Sequence, residues 1–303
     1  MKRKVIQIAN STQLVSLPRK WAIEQGIEKG DELEITEQGN ILTIQADTSH
    51  VPEKIEVDIS KMDVGINKIL HAAYKKGADE IVIKYVKPEQ LAIVQQMIAK
   101  AVVGFEITSQ EKDTCIIKAV AEAYEGEFDT ILRRTFLITK SMIQGIIDVM
   151  DSKDISRIDN VRYLEEVNNK YTGFLRRIIN KGSHHKHSKE SHFLYALIED
   201  LEKMGDHLKF VCDHIKTKGA IKTIDKGMID RYRNFEKMFN DLYELYYSYD
   251  QARAIELYRN RKKMYEEYSV LLTDGKNTVI THHLINCLQK LAELLTFVIE
   301  LNL

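Results

Sequence analysis

No proline follows Pro88, although the chain continues to residue 303. Beyond about residue 124 the apolar positions also stop alternating with polar ones, so no strand is signalled there. A stretch this long without a helix breaker packs as long helices. The pattern predicts six, at about 127–150, 156–180, 190–217, 226–249, 252–272 and 277–302. In the third, Leu194, Leu197, Leu201, Met204, Leu208, Val211 and Ile215 recur at spacings of three and four. That places them on one stripe facing a bundle core.

The six helices divide as three plus three. LEKMGDHLKFVCDHI, from Leu201, aligns with LQKLAELLTFVIELN, from Leu288, so that Lys203 matches Lys290 and Phe210 matches Phe297. A duplication of this size predicts two three-helix bundles related by a pseudo-two-fold axis.

The first 124 residues read differently. Residues 1–50 hold short strand signals at Val5–Ile8, Gln13–Leu17, Asp31–Thr36 and Asn40–Gln45, with Gly39-Asn40 as a hairpin turn. PRKWAIEQG between them has Pro at the start and Gly at the end of one short helix. Residues 51–124 alternate as strand, helix, strand, helix, strand, strand, which predicts a small α/β sandwich with its helices on one face of a sheet. The expected division is therefore 1–50, 51–124 and 125–303.

Composition narrows the function classes. The formal net charge is −1, so any nucleic-acid signal has to be local. No stretch nears the about 20 apolar residues of a membrane span, and the start has no signal-peptide pattern. Cys115, Cys212 and Cys287 lie far apart, without a CxxC, which argues for a reducing cytoplasm and against a disulfide scaffold or a cysteine-based zinc site. No G-x-S-x-G, P-loop or H-E-x-x-H occurs, and no bundle histidine has the Glu-x-x-His spacing of a di-iron site. A non-catalytic protein is expected. The tyrosines of YELYYSY, residues 243–249, read as core and interface aromatics.

Two charge patterns carry functional expectations. Residues 1–23 hold Lys2, Arg3, Lys4, Arg19 and Lys20 and no acidic residue, a local charge of +5; residues 24–50 set Lys29 against seven carboxylates, a local charge of −6. A positive face of this kind suits a phosphate backbone, with Asn10, Ser11 and Thr12 beside it as polar contacts. The same lysines also fit plain solvated decoration. In the bundle, Glu199, Glu202, Asp206 and Asp213 fall on one flank of the leucine stripe. Such a row either faces water or holds a hard cation. His184, His185, His187 and His192 form a histidine-rich loop, read as a polar connector between helices.

Both ends of the chain resemble known families. KVIQIANSTQLVSLPRKWAIEQGIEKGDELEI, within residues 1–47, resembles the AbrB/MazE swapped-hairpin module. The shared pattern is a polar loop, a strand, Leu17-Pro18, a basic-aromatic helix start, then Gly26-Ile27 and Lys29-Gly30-Asp31. The resemblance implies an interlocked homodimer that binds DNA through basic side chains, here Lys2, Arg3, Lys4, Arg19 and Lys20 with Asn10 and Ser11. The paired arginines of AbrB itself fall on Ala22 and Ile23. LIEDLEKMGDHLKFVCDHI resembles the PhoU signature, an E-x-x-x-D with Gly before the Asp, matched by Glu202 to Asp206. YLEEVNNKYTGFLRRI, from Tyr163, resembles the preceding PhoU helix, with Leu164 and Asn168 where acidic residues are usual.

That second resemblance implies a divalent or iron-type metal ion held in the first repeat by Glu166, Glu199, Glu202 and Asp206, and a role in tuning phosphate uptake. In the second repeat Gln289 and Glu293 replace Glu202 and Asp206, and the middle helix reads RNRKK, so no second metal site is expected. An antitoxin would pair the hairpin with a short disordered tail, whereas this chain carries a large bundle. The expected fold class is multidomain α+β: a dimeric swapped-hairpin β-barrel, a small α/β sandwich and an all-α PhoU-like six-helix domain. The expected function is a DNA-binding regulator of phosphate-transport genes. The alternative is an adaptor that binds a phosphate transporter or sensor kinase, with the hairpin module serving only to dimerise.

Overall fold

The computed structural model describes residues 2–8, 12–39, 41–46, 53–120, 125–181, 190–217, 219–273 and 277–303. The chain forms two compact units, Met1–Pro52 and Glu53–Leu303.

The N-terminal unit contains two separate two-stranded sheets. Strand β1 (Ile6–Ile8) pairs antiparallel with β2 (Thr12–Leu14), and β3 (Leu33–Gln38) pairs antiparallel with β4 (Ile41–Ala46). A short helix α1 (Arg19–Glu24) lies between them, entered through Pro18. Gly39 has φ +60° at the β3–β4 turn, where an L side chain is strained. No described side chain of this unit is buried. Leu17, Trp21, Ala22, Ile27, Leu33 and Ile44 are half-buried. Val5, Ile6, Ile8, Leu14, Val15, Ile23, Ile35 and Leu42 are exposed. The single chain does not close a barrel among its described residues: two ribbons without a shared core leave each apolar face half covered.

In the second unit, β5 (Lys54–Asp58), α2 (Ile66–Lys76), β6 (Glu80–Lys84), α3 (Pro88–Lys100), β7 (Phe105–Gln110) and β8 (Thr114–Ala119) follow in turn. The sheet order is β5-β6-β8-β7, with only β5 and β6 parallel. Ile81 and Ile83 of β6 and Cys115 and Ile117 of β8 are buried against the helices. On the opposite face, Lys54 and Lys118 pair with Glu80. Gly77, at φ +116°, ends α2, as its place in the sequence predicts.

The helical part holds α4 (Phe128–Ser152), α5 (Ile158–Asn180), α6 (Ser191–Ile215), α7 (Ala220–Thr223), α8 (Lys226–Tyr247), α9 (Gln251–Ser269) and α10 (Thr278–Glu300). The six long helices fall where the periodicity places them, and the four-residue α7 is an addition. Helices α4, α5 and α6 pack together, as do α8, α9 and α10. The two bundles meet chiefly through α6 on α10 and α4 on α8. In both contacts a helix meets its own counterpart in the other repeat, as a pseudo-two-fold axis between them would arrange. Lys290 reaches Asp200 at 2.9 Å, and His283 reaches His207 at 3.2 Å, so α6 and α10 run antiparallel. Phe136 of α4 packs among Tyr243, Tyr246 and Tyr247 of α8, which gives the YELYYSY aromatics the interface role expected of them.

The parts expected at 51–124 and 125–303 lie against each other. Helix α2 packs on α5, and the two parts form one compact unit. Arg177 of α5 is 3% exposed and enters the α/β layer. It donates to the carbonyl oxygens of Tyr74 (3.1 Å) and Ala78 (2.6 Å) and to the Asp79 carboxylate (3.1 Å). Its guanidinium lies 4.8 Å from the Phe105 ring centroid. Lys181 also pairs with Asp79, and Asn180 donates to the Lys75 carbonyl at 2.7 Å. A buried cation with this many partners locks two layers into one body.

Candidate functional site

The four carboxylates expected at one metal centre do not all lie together in the structure. Glu199, Glu202 and Asp206 of α6 do lie along the side that faces α5. Glu166 does not join them. A helix turns about 100° per residue, and it is Glu165, 5% exposed, that points at α6. Lys209 bridges Glu165 and Asp206, at 3.1 Å from each. Glu166 faces away, 3.9 Å from Arg162.

An arginine lies against the acidic row. Arg176 of α5 is 2% exposed and pairs with both Glu199 and Glu202. Its Nε donates to the Thr172 carbonyl at 3.3 Å, and its guanidinium lies 5.8 Å from the Tyr195 ring centroid. Lys203 stands 3.7–3.9 Å from Glu199, Glu202 and Asp206. Farther along, Arg162 donates to Asp213 at 2.7 Å. Every carboxylate of the acidic row therefore has a protein cation beside it. Among the described residues, no group of three or more His, Cys, Asp or Glu side chains is arranged to share a metal ion. Of the four residues expected to hold a metal ion, Glu199, Glu202 and Asp206 line one side of α6 beside Arg176, Lys203 and Lys209, and Glu166 lies apart from them. Sequence reasoning missed Arg176 because its partners lie on the next helix. The FLRRI run within α5 was the available signal.

The glycine of the E-x-x-x-D motif has a packing role. A Cβ on Gly205 would stand 2.4 Å from Nδ2 of Asn168. That amide is fully buried and donates to the Leu201 carbonyl at 3.1 Å. Gly205 lets α5 and α6 approach closely enough for this bond, so the motif is read here as helix packing.

At the contact between the bundles, the Nδ1 atoms of His207 and His283 are 3.2 Å apart. Burial first, then His207, His282 and His214 nearby, lowers the pKa of His283 to about 4. Asp200 is 7% exposed and is raised to about 6, chiefly by burial; Lys290 opposes the shift and Glu293 adds to it. The three cysteines are free and buried. Burial pushes the Cys212 thiol up to about 12.

In the N-terminal unit Lys2, Arg3 and Lys4 precede β1, and Arg19 and Lys20 open α1; all five are exposed. Lys20 stands 3.7 Å from Glu24 on the next helical turn, an exposed pair of little energetic weight. Asn10 and Ser11 lie outside the described residues, as do His184, His185 and His187 of the histidine-rich loop. His192 is exposed on the first turn of α6.

Residues 6–53 match the family model described as antidote-toxin recognition MazE, bacterial antitoxin. No curated protein matches the sequence. Among solved structures, the chain is similar to the crystal structure of the phosphate transport system regulatory protein PhoU from Streptococcus pneumoniae. The TM-score is 0.46 at 13% identity, over 59% of this chain and 94% of that one. Among the described residues no helix is long and apolar enough to cross a membrane.

Proposed function

We propose that this protein is a homodimeric, DNA-binding regulator of phosphate-transport genes. In this reading the N-terminal unit supplies both the dimer contact and the DNA contact. The observation that carries it is that unit's surface: a segment matching the MazE model in which, among the described residues, none is buried and eight large apolar side chains are exposed, with its charges sorted end from end. Burying one Val, Leu or Ile side chain contributes about 1.5–3 kcal/mol. A second copy offers matching ribbons, and their union supplies the core that one chain lacks. The remaining basic side chains, Lys2, Arg3, Lys4, Arg19 and Lys20, then face solvent as a two-fold-related pair of patches. The duplicated bundle, with its E-x-x-x-D helix, supports a PhoU-like role in reporting phosphate status.

The test is a mobility shift on promoter DNA of phosphate-transport genes from the same genome. Binding is expected at low salt and falls steeply as salt rises. Arg19→Ala and Lys20→Ala each weaken it and flatten the salt dependence. A protein that shifts none of these promoters at low salt rules the reading out. One observation favours an adaptor that docks on a transporter or sensor kinase, with the N-terminal unit only dimerising. Ile23, where AbrB carries an arginine, is 68% exposed and offers no charge to DNA. Co-purification of such a partner, with no promoter shift, would decide for it.

A further inference from the structure

The contact of the α/β layer with the bundle creates a cleft that neither part forms alone. One half, of about 200 Å³, lies between α2, the end of α3 and α5. It presents the amides of Asn67, Gln96 and Asn169, the imidazole of His71 and the apolar Met97. The adjoining half, of about 250 Å³, presents Tyr163, Tyr171, Lys170 and Val167. Lys100 and Glu166 belong to both halves. Together the halves reach the size of small-molecule sites, about 300–1,000 Å³.

We propose that this cleft binds a mononucleotide as an effector. Four features point to that class. Lys100 and Lys170 form no ion pair among the described residues, so both are available to a phosphate. Tyr163 is 58% exposed and, with Tyr171, offers an aromatic surface to a base. The amide-rich half suits the hydrogen-bonding edge of a base: Asn169 donates its amide to Glu165 at 2.8 Å, while its Oδ1 is buried with no partner. Glu166 accepts from a sugar hydroxyl. Burial, with Lys75 and Arg176 nearby, lowers the pKa of His71, so the ring is neutral at neutral pH and can donate or accept.

The location gives the ligand leverage. Glu166 and Asn169 lie on α5, the helix whose Arg176 grips α6 and whose Arg177 grips the α/β layer. A ligand bridging α3 and α5 would tighten the contact that Arg177 holds. This inference does not depend on the DNA reading, because its test is direct binding.

The experiment is calorimetric titration of the full-length chain with AMP, adenosine and inorganic phosphate. Saturable AMP binding is expected below about 1 mM, with adenosine and phosphate each at least about tenfold weaker. Lys100→Ala, at an exposed position, and Lys170→Ala, at a half-buried one, each weaken AMP about tenfold while the circular dichroism spectrum stays unchanged. The inference is overturned if AMP does not bind, if either partial ligand binds as tightly as AMP, or if neither lysine variant alters the affinity.

Discussion

The two helical repeats share an apolar stripe and differ in everything that surrounds it. In the first repeat, α5 buries eleven residues, among them Glu165, Asn168, Thr172, Arg176 and Arg177. Its counterpart α9 buries four, Ala254, Leu257, Met264 and Tyr268, none of them charged. The difference follows from what lies outside each helix. Helix α5 is covered by α6 on one side and by α2 of the α/β layer on another. Among the described residues α9 packs chiefly on α8 and α10, and Arg259, Lys262 and Lys263 are exposed. Both helices keep an apolar core-facing side, and where the α/β layer covers α5 its charges lie in buried ion pairs. A buried pair constrains geometry far more than a solvated one, because separating it leaves a charge without its partner.

The contrast can be broken most sharply at Arg176. Arg176→Met leaves Glu199 and Glu202 without their buried partner and should cost about 3–5 kcal/mol in urea unfolding. Lys263→Met on α9, at an exposed pair 3.9 Å from Glu267, should cost well under about 1 kcal/mol. Equal losses would show that the two repeats do not differ as described. The same arginine predicts that wild-type protein, stripped with chelator and reloaded, retains no stoichiometric metal ion. An ion that binds and then vanishes in the Glu202→Ala, Asp206→Ala double variant would return the carboxylates to a metal role.

A smaller loss is expected at the α5–α6 crossing. Gly205→Ala pushes a methyl group into Asn168 and should cost about 1–3 kcal/mol. Combining it with Asn168→Ala should cost less than the sum of the single changes, since the clash partner is removed. Strict additivity would place the strain elsewhere.

The smallest effects lie where the repeats meet, and there the sign depends on pH. The folded pKa of His283 sits near 4, below the ordinary 6.5. Its contribution is therefore full above pH 6.5 and is lost as pH falls through 4. Asp200 behaves in the opposite way: its folded pKa near 6 lies above the ordinary 3.8, so its contribution is full below pH 3.8 and is lost as pH rises through 6. The two slopes oppose each other in the same window. Urea midpoints followed from pH 7 to 4 should fall less for His283→Gln than for wild type, by about 1 kcal/mol after allowance for partial solvent screening. The gain of Asp200→Asn over wild type should grow as pH rises from 4 to 6. Parallel curves for all three proteins would remove titration from this interface.

Much of this contrast was legible before any coordinates. The six long helices, the three-plus-three duplication, the strand-helix order of residues 54–119 and the hairpins of the N-terminal unit all follow from apolar spacing and from where Pro and Gly fall. These are local signals, because a repeat of 3.6 or 2 residues is set by the backbone itself. The acidic row on α6 was legible too, as one flank of a stripe that could be drawn on that helix alone.

Tertiary structure decided what the row meets. Whether Glu165 or Glu166 faces α6 depends on the rotation of α5 about its axis, and one residue of error is a turn of about 100°. Asn168 and Gly205 are ordinary letters until two helices cross at that point. Arg176 and Arg177 are neighbours in sequence that reach into different layers, and that divergence joins an expected pair of domains into one body. The chain by itself determined which segments are helices and strands and which positions are apolar. Which charges neutralise one another was left to packing, because ion pairing depends on distances between elements that no local period encodes.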